Sequence, residues 1–219
     1  AFVVGHDEAV VSVGDHVITV SGLAAGNYTL NVTTVPDENH MVVSKIVNVT
    51  VFKANSLVEI DEITNVTYND AVSVKFNVTN VTVVTYVVKS DGSVVVNATV
   101  DNVKTLSNLI VLPVLGAGNY TITVVNGEND NFTGYSASAN FSVSKVSSML
   151  DVGDIAFAYG SSNGTVVDYS GAFNVTAYVI GHDEAVVSVG DHMISVSGLA
   201  VGNYTLNVTT VPDENHMVV

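Results

Sequence analysis

The sequence predicts an all-β fold of tandem sandwich domains, and three observations carry that prediction. Apolar and polar residues alternate with period two through most of the chain, tight turns punctuate the alternation, and a long internal repeat returns whole stretches of sequence. The alternation is clear in Ala71–Thr79, where Val72, Val74, Phe76 and Val78 share one face, and in Tyr28–Val35, where Tyr28, Leu30 and Val32 oppose Thr29, Asn31 and Thr33. Period two with one polar face marks a half-buried antiparallel strand. Hydrophobic residues make up 47% of the chain, with valine foremost, and this β-branched bias favours strands over helices. Turns are expected at Gly14-Asp15 and Asp91-Gly92, and seven short strands per unit describe a sandwich.

The repeat sets the organisation. Residues 1–43 return at 177–219 with 38 of 43 positions identical; only Phe2/Tyr178, Val4/Ile180, Val17/Met193, Thr19/Ser195 and Ala25/Val201 differ. A third, divergent copy lies between them. The motif Gly-Asn-Tyr-Thr marks all three copies at Gly26, Gly118 and Gly202, spaced 92 and 84 residues apart. Periods of this length denote an array of whole domains and not a solenoid of short coils. The expected divisions are 1–53, the second half of a domain; 54–146, a complete domain; and 147–219, a domain lacking its last strand. Residue 1 already lies within an apolar strand, so the segment is expected to come from the interior of a longer protein.

The Gly-x-Tyr corner before a strand fits the tyrosine corner of immunoglobulin-like sandwiches, in which the hydroxyl bonds back to backbone a few residues upstream. Tyr28, Tyr120 and Tyr204 keep that spacing. Counting strands alternately up and down puts the start and finish of a domain at opposite ends, so successive immunoglobulin-like domains are expected in line.

Composition narrows the function. The chain has 219 residues, net charge −15 and pI about 4.3, with six Lys and no Arg, which argues against nucleic acid or anionic lipid as partners. There is no Cys, hence no disulfide and no thiol catalysis. The longest apolar run, beginning at Leu109, is too short to span a bilayer, so no membrane insertion is expected in this segment. No nucleophile-elbow, metalloprotease or phosphate-loop motif is present, and an enzyme is not expected. Intramolecular cross-links fare no better: the last domain has no Lys after Lys145, Lys75 alternates outward, and the chain has no Gln.

Three stretches carry a family resemblance: residues 62–88 (EITNVTYNDAVSVKFNVTNVTVVTYVV), 22–40 (GLAAGNYTLNVTTVPDENH) and 116–145 (GAGNYTITVVNGENDNFTGYSASANFSVSK). Through them the chain resembles the adhesin-like surface proteins of methanogenic archaea. The resemblance implies large secreted proteins with many bacterial-type immunoglobulin-like repeats acting in attachment at the cell surface. It brings no catalytic residues.

Two sets of candidate site residues follow. Fourteen Asn lie in N-x-S/T sequons: Asn27, Asn31, Asn48, Asn65, Asn77, Asn80, Asn97, Asn119, Asn131, Asn140, Asn163, Asn174, Asn203 and Asn207, against about four expected by chance. On outward strand positions they could carry glycans; the plainer reading is a polar strand face multiplied by repetition. Strand parity also brings Asp70 and Asp91 of the middle domain towards Asp191, Asp213 and Glu214 of the last, and carboxylates meeting across a short linker would suit calcium. No other cofactor is expected. His16 and His40 sit near Asp15, Asp37 and Glu38, while His6 lies roughly 16 Å along a strand from His16 and cannot share a metal with it. Solvated loop residues are the simpler account of these histidines.

Two functions remain: the stalk of an extracellular adhesin, or the repeat unit of a fibre assembled end to end. The partners would be neighbouring repeats, other copies of the chain, or a host or cell-surface receptor. For the fibre, residues 44–53 of one copy are expected to complete the last domain of another by strand donation.

Overall fold

The computed structural model describes residues 1–219, and every regular element in it is a strand. The first segment holds β1 (Phe2–Val3), β2 (Val10–Gly14), β3 (Val17–Ser21), β4 (Gly26–Thr33) and β5 (Ser44–Val51). The middle domain holds β6 (Leu57–Ile60), β7 (Val66–Thr67), β8 (Ser73–Thr79), β9 (Val83–Ser90), β10 (Ser93–Asp101), β11 (Asn108–Val111), β12 (Gly118–Asn126) and β13 (Tyr135–Ser144). The last domain holds β14 (Val146–Ser147), β15 (Met149–Val152), β16 (Asn163–Ser170), β17 (Ala172–Val179), β18 (Val186–Gly190), β19 (Met193–Ser197), β20 (Leu206–Pro212) and β21 (His216–Met217).

In the middle domain one sheet runs β11-β8-β6 and the other β10-β9-β12-β13-β7. The chain crosses between sheets from β8 to β9, from β10 to β11 and from β11 to β12, which is the Greek-key order of an immunoglobulin-like sandwich. The first strand is split into two, so this domain has eight strands where seven were expected. β6 packs in one sheet, polar Asp61 and Glu62 interrupt it, and β7 joins the other sheet in parallel with β13. Inward positions behave as the alternation requires: Val72, Val74, Phe76 and Val78 are all buried, within a core cluster of 18 residues.

The last domain is a variant of the same plan. One sheet runs β15-β16-β19-β18, and the other is the pair β17-β20. Its fifth strand, β18, pairs with β19, whereas β10, the fifth of the middle domain, pairs with β9; this is one structural difference between the two unlike repeat units. Its core cluster has six buried residues. β20 pairs with a strand, β17, on one edge only; its other edge carries the Thr210 N–H bond to Val219 O (3.0 Å), and beside the strand lies a groove of about 1060 Å³ lined by Leu150, Ile155, Phe157, Leu206 and Val208. In the first segment the matching strand β4 carries β5 on that edge over eight residue pairs, and β13 fills the same place in the middle domain, where it buries Phe141 and Val143.

The first segment buries only Val3 and Leu30 among its apolar residues. Its β2–β3 hairpin forms a separate two-stranded sheet, with Val13 66% exposed. The hairpin turn falls at Asp15-His16 (φ 46° and 63°), one residue later than expected, because Gly14 stays in the strand opposite Val17. Both central residues of such a two-residue turn need positive φ, as Asp91-Gly92 (48° and 80°) and Asp191-His192 (46° and 58°) also show.

All three tyrosine corners are formed. The Tyr28, Tyr120 and Tyr204 hydroxyls donate to the carbonyls of Ala24 (2.8 Å), Gly116 (2.7 Å) and Ala200 (3.1 Å). In each case the acceptor lies four residues upstream, at the turn that feeds the strand.

This division of burial makes a prediction for denaturant unfolding. Phe76→Ala should destabilise the middle domain by about 3–5 kcal/mol, because Phe76 is fully enclosed. Val13→Ala should shift stability by less than about 0.5 kcal/mol. Equal effects from the two substitutions would contradict the placement of the core.

Candidate functional site: the joints between domains

The loop after β12 and the loop after β20 each reach back to the domain before them. At the first joint, the Asn131 side-chain oxygen accepts the Ala25 N–H at 2.8 Å. At the second, the Asn215 side-chain oxygen accepts the Ala117 N–H at 2.7 Å. The same two asparagines hold the linkers through their own backbone carbonyls, which accept Ala54 N–H (2.9 Å) and Val146 N–H (3.0 Å). Each linker then runs parallel to the loop, with Ala54 bridged to Phe132 at the first joint and β14 paired with β21 at the second.

The match extends to the next residues. Ser56 and Ser148 are both buried. The Ser56 hydroxyl donates to Asn80 O (3.5 Å) and the Ser148 hydroxyl to Gly171 O (2.9 Å), each acceptor lying just after the third strand of its domain, β8 or β16. Two joints with dissimilar sequences thus share one hydrogen-bond pattern.

The pin and the tyrosine corner meet on a single peptide unit. In the Ala24–Ala25 peptide the C=O accepts from Tyr28 and the N–H donates to Asn131. In the Gly116–Ala117 peptide the C=O accepts from Tyr120 and the N–H donates to Asn215. A hydroxyl donating to the carbonyl polarises the amide and strengthens the N–H as a donor.

Loop geometry is set locally. Asp213 accepts from Asn215 N–H (2.8 Å) and from His216 Nδ1–H (2.6 Å). Those bonds, the His216 one foremost, hold the Asp213 carboxyl below its ordinary value of 3.8. His216 in turn meets Tyr68 of the middle domain edge-on, ring centres 5.6 Å apart. At the first joint Asn129 does the work of Asp213, accepting from Asn131 N–H (3.0 Å) and Phe132 N–H (2.9 Å). Lys53 adds an ion pair to Glu128 and lowers its carboxyl pKa. In the first segment Asp37 makes the same bonds to Asn39 N–H and His40, which hold its carboxyl down as well.

The expected calcium residues are not brought together. No three His, Asp or Glu side chains group as a metal site, whether among Asp70, Asp91, Asp191, Asp213 and Glu214 or around His16 and His40. The physical reason is that side-chain amides, not carboxylates, cross the joint. Asp213 is spent within its own loop, and Asp70 accepts the Thr67 N–H at 3.1 Å. What the sequence reading missed was Asn131 and Asn215 as joint residues. The signal was present: an Asn stands 13 residues after the Gly of each Gly-Asn-Tyr-Thr motif, at Asn39, Asn131 and Asn215.

The sequon asparagines are all at or near the surface. Asn27, Asn48, Asn65, Asn80, Asn97, Asn119, Asn131, Asn140, Asn163, Asn174 and Asn203 are exposed, and Asn31, Asn77 and Asn207 are half-buried. Most that bond within the fold do so through oxygen, as Asn65 does with Ser142 N–H (2.8 Å) and Asn140 with the Thr121 hydroxyl (2.8 Å). Asn80 and Asn163 differ, since their side-chain nitrogens, the atoms a glycan would take, donate to Asn55 O (3.0 Å) and Ala156 O (2.8 Å).

No protein-family profile matches the chain, and no curated protein matches it. Among solved structures it is similar to the I-band fragment I67-I69 from titin, at 8% identity and TM-score 0.34, covering 95% of this chain and 79% of that one. It is similar also to titin domains A168-A170, at 11% identity and TM-score 0.33, covering 99% and 82%. A third likeness, to Escherichia coli alpha-2-macroglobulin activated by porcine elastase, has 13% identity and TM-score 0.33 and covers 90% of this chain and 22% of that one. The strand order and the tyrosine corners, not these distant likenesses, make the domains immunoglobulin-like.

The bonds around Asp213 predict its titration. A carboxyl whose folded pKa is depressed adds stability above its ordinary pKa and loses it as pH falls through the folded value. Side-chain carbon NMR should therefore place the Asp213 midpoint below 3.8, and His216→Ala should move it upward. An unchanged midpoint in that variant would remove His216 as the main cause.

Proposed function

We propose that this chain is a structural repeat segment from the stalk of an extracellular surface adhesin, in which the joints fix each immunoglobulin-like domain on the next. The observation that carries the reading is the duplicated joint: two different loop sequences converge on one arrangement of asparagine pin, parallel linker and buried serine. A string of independent binding modules would not need that convergence, because loose linkers would serve them. The surface location and the attachment role draw on the resemblance to adhesin-like proteins, and the exposed sequons accord with a glycosylated exterior. In this reading neither an enzymatic activity nor membrane insertion belongs to the segment, and a receptor would be met elsewhere in the protein.

A second reading, a fibre whose copies complete one another by strand donation, draws on the open edge of β20 and the apolar groove beside it. A donated strand gains main-chain hydrogen bonds along a whole edge, but residues 44–51 already pair with β4 of their own chain and would have to leave it.

Small-angle scattering separates these readings. With rigid joints, the scattering curve should be fitted by one arrangement of domains at all concentrations, and Asn131→Ala with Asn215→Ala should broaden the distance distribution. A distribution unaffected by both substitutions contradicts the stalk reading. Growth of the particle with concentration, lost on deleting residues 44–53, would favour the fibre.

A further inference from the structure

The two joints share a bonding pattern but not a shape, and the difference falls on glycine. At the second joint a Cβ on Gly116 would lie 3.0 Å from the Asn215 side-chain oxygen. The corresponding residue at the first joint is Ala24, which carries a Cβ, and the Asn131 loop bonds Ala25 in its presence. The residue after the pin differs as well. His216 lies so close over Gly171 that a Cβ there would come 2.3 Å from the His216 ring, and Gly171 has φ +69°. This seat aims the ring at Tyr68 of the middle domain. At the first joint the matching places are held by Asn80 and Phe132, and Asn80 ties itself to the linker through Asn55 O.

Resting on the reading of the joints as fixed contacts, we infer that the second joint is keyed: the loop carrying Asn215 and His216 is received only by a turn opened by glycine, so two domains of that type cannot follow one another. The turn before β12, opened by Gly116, receives the Asn215-His216 loop. The Ala24-type turn, repeated as Ala200-Val201, receives the Asn131-Phe132 loop. The Ala24-type turn therefore refuses the loop of its own kind of domain. This accounts for a chain in which like sequences return at 176 residues and not at the next domain. Gly116 is not needed for backbone conformation, since its φ is outside the left-handed region, so its role is room for the incoming loop.

Amide hydrogen exchange on the intact chain tests this. Asn215→Ala removes the pin and should speed exchange of the Ala117 amide by roughly 3- to 10-fold, leaving core amides such as Ile122 unchanged. Gly116→Ala should produce a similar gain at Ala117, while Ala24→Gly should leave the Ala25 amide as protected as before. If Asn215→Ala has no effect, the joint is not a fixed contact and the underlying reading fails. If Asn215→Ala acts but Gly116→Ala does not, the pin stands and the keying is overturned. The Ile122 amide guards against a trivial result: its loss in Gly116→Ala would show the fold, not the joint, disturbed, and replacing Glu128–Thr133 by the Pro212–Met217 sequence, which sets the Asn215-type loop against Ala24, then decides. Keying requires loss of Ala25 protection in that swap, and retained protection overturns it.

Discussion

One peptide unit per joint carries two structures at once. The carbonyl of Gly116–Ala117 is held by the Tyr120 hydroxyl from within the middle domain, and the N–H of the same unit is held by Asn215 from the next domain. The Ala24–Ala25 unit does the same with Tyr28 and Asn131. A turn amide left to itself would exchange its bonds with water. Here the corner fixes the plane of the amide from one side, so the asparagine meets a donor already oriented. The ordering cost of the turn is met by the sandwich, and the joint gains a hydrogen bond with little further entropy to lose.

That arrangement depends on parity. The turn before β12 and the loop after it must lie at opposite ends of the domain, and a sandwich of antiparallel strands delivers that automatically. It depends equally on the core, since Tyr120 is itself buried, stacked on Phe141 with ring centres 5.3 Å apart. The chain from sequence to function then runs unbroken. Alternating valines bury one face, the sandwich closes, the corner tyrosine seats, and the seated turn presents one N–H outward to the next domain. Acidic residues decorate the loops, and those nearest the second joint are satisfied within their own segments, Asp213 by His216 and Asn215, Asp70 by Thr67.

Much of this was legible in the sequence. Period two at Val72–Val78 placed the core strand with its inward face, the repeated Gly-x-Tyr placed the corners, and the alternation gave the ends of the domain. Side-chain character misled where it stood in for geometry. Carboxylates near a linker suggested a cation, but whether three of them converge is decided by loop conformation, and no three do; Asp70 and Asp213 instead accept from their own loops. The asparagine pins were hidden for the opposite reason. Asn131 sits in a sequon and Asn215 in an acidic-looking loop, so composition assigned each to something else, and only their common distance from the corner motif marked them as one feature. The hairpin turn moved by one residue because strand pairing held Gly14 in register, a long-range constraint that no local preference reveals.

The central claim is that a side-chain amide from each domain is hydrogen-bonded to the corner peptide of the domain before it. Through-hydrogen-bond scalar coupling measures this directly, between the Ala117 amide nitrogen and the Asn215 side-chain carbonyl carbon, and between those of Ala25 and Asn131. The account predicts a resolved coupling at both joints, with the Ala117 coupling reduced in Tyr120→Phe, where the peptide loses its polarising partner. Absence of coupling at both joints, with Ala25 and Ala117 exchanging as fast as free turn amides, would contradict it.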